Sequence, residues 1–262
     1  MRGAMSNIAL TTEDKHRIDD AVERFKSVRH NFEHLAKTVH ALVSEHPLLS
    51  PLIHSVKWRV KDVEHLRHKL VRKAVERKLT HGRKKPEIIA SNVFDQIEDL
   101  AGVRILHLHT KQLEQIHTAL LNVLGDQKWV VEGSVASTWD DEYRKFFKSL
   151  GMETVSRDSL YTSVHYVISP NSRTPVKCEL QVRTLAEEVW GEVSHTIDYP
   201  SQTKSVACKE QLRVLARLSS GYIRLVDSIF ESHKEHQGFE HRLAAIRRRG
   251  DSPVKGSFRK RR

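Results

Sequence analysis

Over residues 176–183 four polar side chains, Lys177, Glu179, Gln181 and Arg183, alternate with Val176, Cys178, Leu180 and Val182. Successive side chains of a strand point to opposite faces of a sheet, so the spacing predicts one core row and one row holding a carboxylate, an amide and two cations. A second run, 162–168, alternates too, with Thr162, Val164, Tyr166 and Ile168 on one side and Ser163, His165 and Val167 on the other. The turn-rich residues 169–174 join the two runs, which predicts a β-hairpin whose polar rows merge into a patch with a carboxylate, an imidazole and cations. A solvated face of an antiparallel sheet alternates in the same way, so chemistry requires further groups to converge there.

Two other segments offer such groups. In Glu98-Asp99-Leu100-Ala101-Gly102-Val103-Arg104 a carboxylate stands at the entrance to a strand, and Gly102 permits close backbone approach. If Asp99 and Glu179 meet on neighbouring strands, they form a hard-oxygen site suited to Mg²⁺, with phosphates and water completing its shell. Taken alone, Asp99 is equally a helix cap or an ion-pair partner. The second segment is basic. On a helix beginning near Asp62, the side chains of Lys61, His65, Lys69 and Arg72 share a stripe while Val63, Leu66 and Leu70 pack inward. Such a stripe holds a triphosphate or is a solvated face. No GxxxxGK[ST] loop occurs in the sequence, so an ATP site here is not a P-loop.

The elements that must position these groups are legible from periodicity. Apolar residues recur every three or four positions from Ile18 to Leu42, predicting a long helix over 12–46 that Pro47 stops. Strands are predicted near 53–58, over 102–108 and over 129–132, with helices over 62–78, 111–124 and 140–150. After the hairpin come a helix over 184–197 and a largely helical stretch to 249. The fold class is a mixed α/β (α+β) domain with a central sheet, long N- and C-terminal helices and no internal repeat.

Composition bounds the partners. The chain has 262 residues, room for one sizeable core, so 11–249 is expected to be a single domain with its motifs within about 50–200, flanked by unstructured residues 1–10 and a basic tail over 250–262. The net charge of +11 attracts polyanions, and residues 247–262 contribute eight Lys/Arg against one Asp. Two cysteines, Cys178 and Cys208, make neither a disulfide framework nor a four-ligand zinc site. No apolar run approaches the roughly 20 residues of a membrane span, and no signal-peptide core opens the chain; a cytoplasmic protein without membrane partners is expected.

Five segments, in order, resemble the synthetase domain of the RelA/SpoT family: RVKDVEHLRHKL from Arg59, FDQIEDLAGVRI from Phe94, YTSVHYVI from Tyr161, ELQVRT from Glu179 and WGEVSH from Trp190. The resemblance covers about residues 50–200 and is similar in extent to a small alarmone synthetase. It implies a nucleotidyltransferase-like mixed sheet and a pyrophosphokinase that moves the β,γ-pyrophosphate of ATP to a ribose 3′-OH with Mg²⁺. Carried over by motif, Arg59, Lys61, His65, Lys69 and Arg72 belong to the ATP side; Asp99 and Glu179 hold the metal, with Glu179 also placed to act as base. Arg157, Tyr161, His165, Gln181 and Arg183 belong to the acceptor side, Tyr161 by stacking on the base, while Arg104, Ser163, Trp190 and His195 support the site.

The chain departs from the family pattern at two places. Ser159-Leu160 stands where a Gly, often after Asn, precedes the tyrosine, and His65 stands where a Ser is expected. The implied acceptor is GDP or GTP, giving (p)ppGpp. Alternatively the chain resembles toxic small synthetases that modify the 3′ end of tRNA or make adenine alarmones, which would bring RNA or an antitoxin as partner. A non-catalytic nucleotide-binding protein on the same fold is the third reading. DNA is not an expected partner, and the apolar faces of the long terminal helices make a homo-oligomer an open expectation.

Overall fold

The computed structural model describes residues 10–79, 86–156, 160–172, 175–198 and 203–250, with 247–250 in backbone only. Of the segments expected to be unstructured, 1–10 and 250–262, residues 1–9 and 251–262 lie outside the described residues, as does Arg157, whereas Leu10 packs against the core and Gly250 ends the last helix.

Helix α1 (Thr12–Glu45) opens with a capping box: Asp14 N–H donates to Thr11 Oγ1 at 3.1 Å and Thr11 N–H donates to the Asp14 carboxylate at 2.9 Å. It ends one residue before His46, which is extended, as the residue before a proline must be. Its buried stripe, including Val22, Phe25, Phe32 and Val39, packs on strands β1 (Ser55–Val60) and β2 (Ala101–His107) and on helix α2 (Val63–Leu79). The chain continues through α4 (Leu113–Asp126), β3 (Val130–Ser137), α5 (Asp141–Ser149), β4 (Glu153–Val155), β5 (Ser163–Ser169), β6 (Cys178–Thr184), α6 (Leu185–Asp198) and α7 (Val206–Gly250), with a short α3 (Val93–Gln96) before β2. The sheet order is β1-β2-β6-β5-β3-β4, with β2–β6 and β3–β4 parallel and the rest antiparallel.

The expected hairpin is present as β5–β6, and Val164, Tyr166, Ile168, Cys178, Leu180 and Val182 all face the core. Strand β3 runs past the expected end at residue 132, because Gly133, with φ of +99°, carries a register shift between Val131 and Ser134 and the strand resumes beyond it. Neither β4 nor α3 was expected from the sequence; at three and four residues they are too short to show a period.

Helix α4 ends in a Schellman motif, with Trp129 N–H donating to Leu124 O at 3.1 Å and Lys128 N–H to Gly125 O at 2.8 Å. The left-handed position falls on Lys128, at φ of +57°, where glycine is free of the Cβ clash. Lys128 is exposed, so Lys128→Gly removes strain without opening a cavity. It is expected to raise stability by about 1 kcal/mol, read as a higher Tm in thermal unfolding.

Candidate active site

The parallel pairing of β2 with β6 sets Gly102 opposite Glu179 and Arg104 opposite Gln181. The antiparallel pairing of β5 with β6 sets His165 opposite Gln181. Because the core rows of β2 and β6 face α1, and Tyr166 of β5 meets His117 of α4 on the same side, the alternate residues form a polar floor on the other side. A cavity of about 540 Å³ stands on that floor, bordered by Arg59, Arg104, Tyr161, Glu179, Gln181 and Arg183 and roofed by Trp190 and His195 of α6. These eight residues are drawn from all five motif segments, and the fold brings them together.

Within the cavity a hydrogen-bonded chain reaches Glu179. The Glu179 carboxylate accepts from Gln181 Nε2 at 2.8 Å, and His165 Nδ1 lies 2.9 Å from its other oxygen. A carboxylate only accepts, so Nδ1 carries the proton and Nε2 is left to accept from the Tyr161 hydroxyl at 3.3 Å. Burial pushes the Glu179 carboxyl up and the neighbouring Asp99 charge adds to this, but the hydrogen bonds from His165 and Gln181 outweigh both and hold it below the usual range. Burial raises the Tyr161 pKa, with Arg183 opposing, so the phenol stays protonated; its ring lies 6.1 Å from that of Trp190.

Asp99 sits beside this chain, at the end of the short connection leading into β2. Lys61 Nζ donates to one of its oxygens at 2.6 Å and Lys69 Nζ to the other at 2.8 Å. Burial opposes its ionisation, yet the two ammonium groups hold the carboxyl at about 2. Asp99 and Glu179, 80 residues apart in the chain, are close enough for the charge on one to raise the pKa of the other. Lys61 is not on the helix: it precedes α2, anchored by its N–H to Leu100 O at 2.8 Å.

The expected stripe of four therefore divides. Lys61 and Lys69 converge on Asp99, whereas His65 is exposed on the first turn of α2, and Arg72 is exposed and lies 3.7 Å from Glu76. Neither His65 nor Arg72 lines the cavity. A helix advances about 100° per residue, so positions three and four apart spread over a face broad enough to separate the inner pair from the outer one. Ser163 is buried at the start of β5 rather than exposed to the cavity.

Sequence reasoning missed the anion that organises the cations. Glu188 of α6, 7% exposed, accepts from Lys57 at 3.1 Å and from Arg104 at 2.9 Å, and pairs with Arg183 at 2.5 Å. Glu192, one turn on, pairs with Arg104 at 2.8 Å. The available signal was charge balance: a strand floor with this many cations requires carboxylates from whatever element covers it, and 187–192 contains three. Leu160, just before Tyr161, takes the left-handed conformation, φ +59°, which a non-glycine residue adopts at a steric cost.

The donor set fits a hard divalent cation. Two ionised carboxylates are the number of protein ligands Mg²⁺ commonly takes when phosphates and water fill the remaining positions. Among the described residues no group of three or more His, Cys, Asp or Glu is arranged to hold a metal by itself, and no helix is long and apolar enough to cross a membrane.

Solved structures with this fold include the small alarmone synthetase 1 from Bacillus subtilis, with a TM-score of 0.54 and 20% identity over 82% of this chain and 96% of that one. The same enzyme bound to AMPCPP gives a TM-score of 0.56 with 18% identity, covering 81% and 99% of the two chains. Bound to its product pppGpp, it gives a TM-score of 0.52 with 21% identity, covering 80% and 93%. No curated protein matches the chain in sequence. Residues 58–204, more than half of the chain, match the model of a region found in RelA/SpoT proteins, and with the ordered motifs now gathered on one sheet face, the chain belongs to the RelA/SpoT family.

Proposed function

We propose that the chain is a pyrophosphokinase that transfers the β,γ-pyrophosphate of ATP to the 3′-OH of GDP or GTP. The observation that carries this reading is the meeting of two ionised carboxylates, Asp99 held by Lys61 and Lys69 and Glu179 held by His165, beside a cavity lined by Tyr161 and Arg183. AMPCPP and pppGpp, the ligands of the structurally similar Bacillus subtilis enzyme, are the donor analogue and the product such a site would accept.

In the proposed reaction the acceptor 3′-oxygen forms a bond to the β-phosphorus of ATP, the bond from that phosphorus to the α,β-bridging oxygen breaks, and AMP leaves. Asp99 and Glu179 would hold Mg²⁺, which on binding neutralises charge building on the transferred phosphoryl oxygens. Lys61 and Lys69 add fixed positive charge around the triphosphate in a partly buried setting, where such charge acts more strongly than in water, and Arg59 adds its charge from an exposed position. Glu179, kept ionised by its hydrogen bonds, takes the hydroxyl proton. Tyr161, steadied through His165 and flanked by Trp190, offers a ring face to the acceptor base.

The net charge of +11 favours a second reading in which the acceptor is the 3′ end of an RNA. Incubation of the purified chain with β,γ-labelled ATP and, in parallel, GDP, GTP, ATP or tRNA distinguishes the two. Label on GDP or GTP is the expected result. Label confined to tRNA would replace the guanine acceptor by a polymer, and label on nothing would overturn the enzymatic reading.

Arg183 gives a narrower test. A Cβ on Gly191 of α6 would lie 2.5 Å from Arg183 Nη1, so Gly191→Ala must push the guanidinium out of its place against Glu188. Loss of one charge-assisted contact to the acceptor is expected to raise its KM about tenfold while ATP affinity holds, and circular dichroism should show an intact fold. An unchanged acceptor KM would remove Arg183 from the acceptor side.

A further inference from the structure

Helix α6 opens with a second capping box. Thr184 donates to the Glu187 carboxylate from its N–H at 2.9 Å and from its Oγ1 at 3.0 Å, and Glu187 N–H donates to Thr184 Oγ1 at 3.2 Å. In the matching box at the head of α1, burial opposes ionisation of Asp14, but hydrogen bonds from Lys78, Thr11 and Arg17 hold its carboxyl well below the ordinary range. At α6 the balance is reversed. Burial outweighs the hydrogen bonds from Thr184 and the charge of Arg183, Asp227 adds to it, and the Glu187 carboxyl is pushed up to about 7.

The titratable groups around Glu187 come from every element packed there: Arg183 from β6, Asp227 from α7, Tyr143 from α5 and His107 from the end of β2. Most of them leave its charge unanswered. Asp227 is an anion already paired with His109 at 2.8 Å, burial pushes the Tyr143 phenol up to about 12, and burial pushes the His107 imidazole down to about 4, so the last two are neutral near pH 7. Arg224, over the Tyr143 ring, is taken by Asp140 at 2.6 Å. Arg183 is the cation that shares a wall with Glu187: both line an enclosure of about 10 Å³, room for a single water molecule. Arg183 Nη2 pairs with Glu188 at 2.5 Å and Nη1 faces Gly191, while its buried Nε–H has no protein partner among the described residues.

We infer that Glu187 is a positioning residue for the acceptor, acting through Arg183: the charge on Glu187 sets how much of the guanidinium's positive charge is left for an acceptor phosphate. This rests on the reading that puts Arg183 on the acceptor side. With Glu187 neutral, Arg183 answers to Glu188 alone. With Glu187 ionised, a second negative charge stands behind the guanidinium, draws it inward and repels the incoming phosphate. Acceptor binding and protonation of Glu187 therefore favour each other, so acceptor affinity falls as pH rises through 7. The donor side, where Lys61 and Lys69 meet Asp99, is outside this coupling. Glutamine also completes a capping box, so Glu187→Gln removes the titrating charge and keeps the start of α6.

The measurement is the acceptor KM for the parent and Glu187→Gln at pH 6, 7 and 8, with GDP as acceptor and ATP saturating. Taking the ratio of the two proteins cancels the ionisation of GDP itself. The parent's KM is expected to rise about fivefold relative to the variant's between pH 6 and 8, while the ratios of turnover at saturating GDP and of the KM for ATP stay constant. An acceptor ratio that does not move with pH, or one that moves equally for ATP, would reduce Glu187 to a helix cap. Thermal unfolding reads the same coupling without turnover, and so separates its failure from that of the enzymatic reading. The carboxyl is raised from 4.5 to about 7, so the parent loses stability relative to Glu187→Gln as pH rises from 4.5, and the loss is complete above 7. The Tm difference between the two is expected to widen across that window, and the window should extend upward when both also carry Arg183→Gln, because removing the cation raises the carboxyl further. A Tm difference that is flat with pH, or indifferent to Arg183→Gln, would overturn the coupling whether or not the chain transfers pyrophosphate.

Discussion

Glu179→Gln is expected to lower the turnover of pyrophosphate transfer by about 10²-fold or more, the range for loss of a positioned general base, with the KM for ATP changed only a few-fold. The substitution keeps the size of the side chain and leaves an amide oxygen to accept from Gln181 or His165, so the floor of the site survives while its negative charge and proton acceptor are lost. Single-turnover transfer of labelled pyrophosphate is the measurement, because it separates the chemical step from product release. Near-normal transfer by this variant would leave Glu179 as a structural partner of His165 and no more.

Asp99→Asn acts through a different route and is expected to cost a comparable factor, about 10²-fold, as expected for lost electrostatic organisation around transferring phosphoryl oxygens. It also leaves Lys61 and Lys69, both largely buried, without their shared counter-charge. The variant should therefore lose stability as well as activity, by roughly 1–3 kcal/mol. The pH dependence gives the sign. The folded-state pKa of Asp99, about 2, lies below its ordinary 3.8, so its contribution is present above pH 3.8 and disappears as pH falls toward 2. Urea unfolding of parent and variant should differ at neutral pH and converge in strong acid. A variant with parental stability at neutral pH would show that the Lys61–Asp99–Lys69 cluster is held by something other than its charges.

Much of the site was legible because strand alternation is a local rule. Once residues 176–183 are read as a strand, the positions of Glu179, Gln181 and Arg183 on one face follow, and the hairpin adds His165. The parallel pairing that brings Gly102 level with Glu179 is non-local, and only the motif resemblance pointed to it. The helical stripe was legible in type but too coarse in detail: Lys61 is placed by a backbone hydrogen bond to Leu100 and not by helical phase, while Arg72 finds Glu76 in solvent. Glu188 escaped because a carboxylate in the first turn of an acidic helix reads as a favourable dipole interaction, which hides its role against three cations across the cavity. The short β4 and α3 carried no period to read.

The parallel contact between β2 and β6 also governs when the protein becomes competent. Everything from α4 to β5 lies between these partners in the chain, so no contiguous fragment ending before Glu179 holds both carboxylates, and none ending before Thr184 holds the whole of β6. Closing so long a loop carries an entropic cost that the intervening strands must offset before the pair zips, which places assembly of the reactive centre late in folding. A nascent chain on the ribosome accordingly stays inert until its sixth strand has emerged.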